Sequence, residues 1–237
     1  KVLVLSEDKD IFGGELDNTI LKDQLNLMRV GEPMYVFYGY VEDGYDENGH
    51  IVYKNMDDDP AITAADKTII GDPNPDFLVN LTTAVSYKGF TLSAFFQSSI
   101  GNDIYSLSMA AQAYDYGYNG NTLREVYYNH WTPENPTAKY PNLDQTSYKM
   151  SDRFVYDGSF VRLKNLELAY DVPCARSKFI KRARVYVSAQ NLFTITSYPF
   201  WDPDINANGG GSSMIQGVDS YCYPSARTYT IGCRLTF

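Results

Sequence analysis

The residues best spaced for chemistry lie in NMDDDPAITAAD, residues 55–66. This stretch sets Asn55, Asp57, Asp59 and Asp66 at positions 1, 3, 5 and 12 of an EF-hand-like loop, with Ile62 at position 8. Oxygen donors at alternating positions on a turning chain converge on one hard cation, so the spacing points to calcium as the one cofactor to expect. Two departures oppose it. Asn replaces Asp at the first position, and Pro60 takes the sixth, where the sharp turn calls for glycine. A solvated acidic loop would satisfy the same letters.

Other reactive residue types are sparse. His50 and His130 are the only histidines, and they fall in different loops. No HExxH, GxSxG, P-loop or CxxC stretch occurs. Cys174, Cys222 and Cys233 share no metal-like or redox spacing, and three cysteines make no disulfide framework, so we expect them unpaired. No catalytic constellation emerges, and the expectation is a protein that is not an enzyme. The net charge of −9 disfavours a nucleic-acid partner.

The elements that carry these loops read as strands. The chain holds 21 tyrosines, and aromatic residues make up 15% of it, a composition suited to sheets and interfaces. No apolar run approaches the eighteen residues of a membrane helix, which leaves open a barrel, whose strands are half polar. The closing stretch RTYTIGCRLTF puts Tyr229, Ile231, Cys233, Leu235 and Phe237 on one face and Thr228, Thr230, Gly232, Arg234 and Thr236 on the other. Such strict alternation over about ten residues matches the length of a tilted bilayer-crossing strand. FLVNLTTAVSY (77–87) and FTLSAFFQSSI (90–100) alternate likewise and form a hairpin across Lys88-Gly89. FVRLKNLELAY (160–170) alternates in its second half. Arg162 and Lys164 would share its apolar face, which places them above the membrane. ARVYVSAQNLFTI (183–195) alternates except at Asn191, where a bulge is expected. MYVFYGYV (34–41), NTILKDQLNLMRV (18–30) and the end of a strand in KVLVL (1–5) complete seven to eight strands. The abrupt start at KVLVL reads as truncation.

Connections between these strands alternate in length. Those at 6–17, 42–76, 101–159 and 196–226 are long, and those at 31–33, 88–89 and 173–182 are short. An outer-membrane barrel has this pattern, with long loops outside and short turns in the periplasm. Within 101–159, two segments have the pattern of short helices. The expected fold class is therefore all-β, a transmembrane antiparallel β-barrel with long extracellular loops. Two other readings stay open. One is a complete eight-stranded outer-membrane barrel acting as an adhesin or enzyme. The other is a soluble carbohydrate-binding β-sandwich, suggested by loop aromatics such as Trp131 and Trp201.

Several stretches in order, VGEPMYVFYGYV (30–41), KTIIGDPNPDF (67–77), SAFFQSSIGNDIY (93–105), HWTPENP (130–136), DGSFVRLKNLELAY (157–170), RVYVSAQNLFTIT (184–196) and YPSARTYTIGCRLTF (223–237), resemble the C-terminal barrel region of SusC/RagA-type TonB-dependent transporters. The resemblance spans nearly all of residues 1–237. It implies a 22-stranded barrel of which this chain is the last part, with a plug domain upstream and outside it. It further implies the outer membrane of a Gram-negative bacterium, contact with outer-membrane lipid, and import of oligosaccharides or oligopeptides. A SusD-like surface lipoprotein would be the lid, and TonB would act through the region outside this chain. The terminal strand then resembles an assembly signal carried by Tyr229, Ile231, Leu235 and Phe237.

Overall fold

Period-two alternation yields one sheet of five long strands. The computed structural model describes residues 10–13, 16–17, 22–114, 121–174, 179–205 and 215–237. The long strands are β1 (Phe77–Tyr87), β2 (Phe90–Ile100), β3 (Phe160–Val172), β4 (Arg182–Thr196) and β5 (Thr228–Thr236). Each pairs antiparallel with its sequence neighbours, so the sheet is a meander in chain order. The β1–β2 hairpin closes through Lys88 and Gly89, with φ of 47° and 86°. Two positive φ values in a two-residue loop define a type I′ turn, whose twist matches that of the strands it joins.

The register stacks like with like. Val85, Leu92, Leu168, Val187 and Ile231 form one cross-strand row, and Tyr87, Phe90, Tyr170, Val185 and Cys233 form the next. On the opposite face, Ala84, Ser93, Glu167, Ser188 and Thr230 align. The first row stands between 43% and 86% exposed. A sandwich would cover such a face with a second sheet. Here the apolar residues form the open surface, as they must where lipid replaces water. Gly232 sits opposite Tyr186 on the polar face, where a Cβ would come within 2.4 Å of the tyrosine ring. The ring thus fills the space that a side chain would otherwise occupy.

One irregularity crosses the sheet. Phe95 and Phe96 of β2 pair with Asn165 and Leu163, leaving Lys164 as an extra residue on β3. Opposite, β4 jumps from Gln190 to Phe193 across Asn191, whose φ is 51°. A bulge of this kind re-aims the residues beyond it. It corrects the sequence-based expectation for Arg162. This residue does not share the apolar face but pairs with Gln97 and Thr194, while Leu163 pairs with Phe96 and Phe193.

Two compact units divide the described residues. The sheet, Pro75–Gly101 with Gly158–Asp204 and Tyr223–Phe237, is one. The other gathers the described parts of Lys1–Asn74, Asn102–Asp157 and Ile205–Cys222. Here the described residues of the segments 18–30 and 34–41, expected as wall strands, form short strands instead: Lys22–Asp23, Asn26–Met28 and Val36–Gly39, and residues 18–21 lie outside the described residues. Leu25, Leu27, Met28, Val36 and Phe37 are at most 1% exposed. Consecutive buried residues need cover on both faces, and a wall strand offers cover on only one. Five of the expected strands thus stand in the sheet among the described residues, and KVLVL lies outside those residues. Helices Leu107–Tyr114 and Arg124–Tyr128 fall within the long 101–159 connection, as its sequence predicts. Ile104, Tyr105, Val126, Met150 and Phe154 are buried in the same unit.

Candidate functional site: the polar face of the strand wall

The bulge delivers Arg162 to the polar face, where it is 1% exposed. A buried guanidinium demands acceptors for its five N–H groups. The chain supplies four from a loop and a strand. The Nη2 atom donates to Asp202 Oδ1, Nη1 reaches Asp204 Oδ2 and Ser225 Oγ at 3.2 Å each, and Nε donates to Thr194 Oγ1 at 2.9 Å. Asp202 in turn accepts from the Ser225 amide at 2.8 Å and the Asp204 amide at 2.9 Å. Burial acts to raise the Asp202 carboxyl, but these amides and the Arg162 guanidinium together outweigh it and hold it below the ordinary carboxylate range. Arg162 therefore ties both ends of the 197–227 connection to the wall. Asn191 joins them, donating from Nδ2 to the Ala226 carbonyl at 3.0 Å. A cavity of about 320 Å³ opens beside the knot, lined by Trp201, Arg227, Thr194 and Thr196 among others.

Sequence reasoning missed this centre. A signal was present: alternation fails at Arg162-Leu163-Lys164 on one strand and at Asn191 on another, and the register sets the two failures side by side. Paired breaks on adjacent strands indicate a bulge that is part of the design.

In the acidic loop, Asn55, Asp57, Asp59 and Asp66 accept hydrogen bonds from the loop's own backbone. Asn55 Oδ1 accepts from the Asp57 amide at 3.0 Å, Asp57 Oδ1 from the Asp59 amide at 2.8 Å, and Asp59 Oδ1 from the Ala61 amide at 3.0 Å. Asp66 is buried, and it accepts from the amides of Met56 and Thr63 at 2.7 Å each. Its Thr63 partner completes a capping box on the short helix Ala64–Asp66. Backbone hydrogen bonds, first from Met56 and then from Thr63, lower the Asp66 carboxyl below its ordinary value. Among the described residues, no group of three or more His, Cys, Asp or Glu side chains is arranged to hold a metal ion.

His50 lies 2.9 Å from Asp144, while His130 lies 2.7 Å from the Tyr127 carbonyl, so each has its own local partner. All three cysteines are free thiols. The terminal strand presents Tyr229, Ile231 and Leu235 on the open apolar face, and Phe237, just past its end, is 72% exposed.

An antiparallel wall with lipid-facing apolar rows and a hydrogen-bonding inner face defines a class, the transmembrane β-barrel. No family model matches the chain. It is 31% identical over 258 aligned residues to TonB-dependent receptor P3 of Formosa agariphila, covering 100% of this chain and 25% of that protein. It is 30% identical to TonB-dependent receptor SusC of Bacteroides thetaiotaomicron, covering 88% of this chain and 20% of that protein. Among solved structures, the RagAB peptide importer in its open-open state aligns with a TM-score of 0.73 and 26% identity, over 96% of this chain and 24% of the other. The closed-closed state aligns with a TM-score of 0.75 over 90% of this chain. The chain belongs to the SusC/RagA-type TonB-dependent receptors, whose C-terminal part it matches. It spans about a quarter of the length of the first of these relatives.

Proposed function

We propose that the chain forms part of the barrel wall of a TonB-dependent importer in the outer membrane of a Gram-negative bacterium. The cargo is an oligosaccharide or oligopeptide, and a SusD-like surface lipoprotein is the partner. The two-faced sheet carries this reading. Its apolar rows suit lipid, and Asn80, Gln97, Asn165, Glu167, Ser188 and Gln190 line a face able to hydrogen-bond a polar solute or a plug. TonB coupling belongs to the region outside this chain. Likeness to the RagAB peptide importer and to the TonB-dependent receptor SusC supports import, and the choice between peptide and glycan falls to experiment.

The test is purification of the full-length protein from membranes in mild detergent, with uptake assays in a deletion strain. We expect a lipoprotein to copurify and the strain to lose growth on a particular oligosaccharide or peptide pool. Purification without such a partner, together with unchanged growth on every pool, refutes the reading. The terminal strand is proposed as the assembly signal. Removing Phe237 should lower the outer-membrane level of the full-length protein, and an unchanged level with unchanged heat-modifiable migration argues against that role.

A further inference from the structure

The sheet carries a second polar cavity, far from the Arg162 knot in register. It measures about 490 Å³ and is lined by Asp171, Lys181, Arg182, Arg184, Arg234 and Thr236, together with Val172 and Ala183. Four of these residues are cations, in a chain whose net charge is −9. Arg184 of β4 stands directly opposite Arg234 of β5 on the polar face. Like charges directly opposite one another destabilise an antiparallel pair. Counter-charge is scarce there. Arg184 divides itself between Asp171 at 3.4 Å and Glu167 at 3.6 Å, both long for a charge-assisted bond. Arg234 has no carboxylate partner among the described residues. Its neighbour along the strand, Gly232, carries no side chain, and the Tyr186 ring covers that position.

We propose that Arg184 and Arg234, backed by Lys181 and Arg182, form an anion-binding site that takes a carboxylate or phosphate group between the two strands. Two planar forks facing one cavity suit an oxyanion with several acceptor oxygens, each fork donating a pair of N–H groups. The anion neutralises the Arg184–Arg234 repulsion, so binding and local wall stability rise together. The same chemistry has two sources. One is a free anion entering the lumen. The other is an acidic side chain from the part of the relatives' length that this chain does not span.

The experiment uses the full-length protein in detergent, with inorganic phosphate as the probe at constant ionic strength. The readout is the thermal unfolding midpoint, and heat-modifiable migration checks folding. For a free anion, phosphate raises the wild-type midpoint, and R234Q weakens the response about tenfold. For an internal acid, phosphate leaves the wild type unchanged and R234E unfolds at a lower temperature than R234Q, because the new carboxylate meets the resident one. With no anion in the site, R234E would instead pair with Arg184 across the strands. A phosphate-insensitive wild type with R234E at least as stable as wild type therefore overturns the proposal. So does a phosphate response that survives unchanged in R184Q and R234Q.

Discussion

Arg162 shows how much can depend on one inserted residue. Lys164 shifts the register, and the guanidinium that a strict alternation would have placed toward lipid becomes the buried anchor of a loop. Removing one member of a buried ion pair leaves its partner's charge uncompensated, at a cost of about 3–5 kcal/mol. Arg162→Met should show this in equilibrium unfolding of the full-length protein, and protease should then cut the 197–227 connection faster. Adding Asp202→Asn to Arg162→Met should recover part of the loss, since the buried carboxylate is then gone and the Asp204 carboxylate that remains is 39% exposed and 3.9 Å from Lys164. A double variant worse than the single one refutes the pairing. The pH dependence follows from the depressed Asp202 carboxyl. Its contribution is fully present above the ordinary value of 3.8 and fades as pH falls through the lower folded value, so loop protection should hold at neutral pH and fail only in acid. The 55–66 loop is anchored by a different carboxylate. Asp66→Ala should expose its backbone to hydrogen exchange. Calcium should leave the wild-type exchange pattern unchanged, because the side chains already serve the loop amides. Calcium-induced protection would support the cation reading of the spacing.

Leu168 sits mid-strand between Leu92 and Val187, facing outward. Leu168→Arg should cost about 2–4 kcal/mol near the bilayer midplane, while Glu167→Gln on the opposite face should be tolerated. Unfolding of both variants in lipid measures this, and the reverse ranking would exchange the two faces of the wall. Strands of this kind were legible because one face meets lipid and the other a polar interior, so period two survives in the letters at 77–100, 166–170 and 228–237. The hairpin turn at Lys88-Gly89 was legible for the same local reason. What escaped was set by long-range packing. The bulge depends on how β2, β3 and β4 align, which no single strand records. Segments 18–30 and 34–41 look like strands and are short strands, but their burial on both sides is decided by partners distant in sequence, such as the Gln216 carbonyl that accepts from Asn26 at 3.1 Å. The letters gave the acidic loop its spacing. They could not show that each side chain would turn back onto its own backbone.

At the scale of the molecule, the long connections are more than surface loops. They assemble a unit with its own core, in which Phe37 is fully buried and packs edge-on against Tyr105 at 6.1 Å between ring centroids. The wall is held differently, by continuous ladders of paired strands and by the lipid its outer rows meet. Two sources of stability imply two separable responses. Phe37→Ala removes a large buried side chain and should cost the loop unit about 3–5 kcal/mol. Leu168→Arg should act on the wall alone. Residues without shared partners contribute additively, so the double variant should show both losses with little coupling between them. The measurement pairs limited proteolysis, which reports the loop unit, with heat-modifiable migration, which reports the wall, on each variant of the full-length protein. We expect Phe37→Ala to speed cleavage within 102–157 while the folded band persists. Loss of the folded band in Phe37→Ala would mean that the wall cannot stand without the unit its connections build.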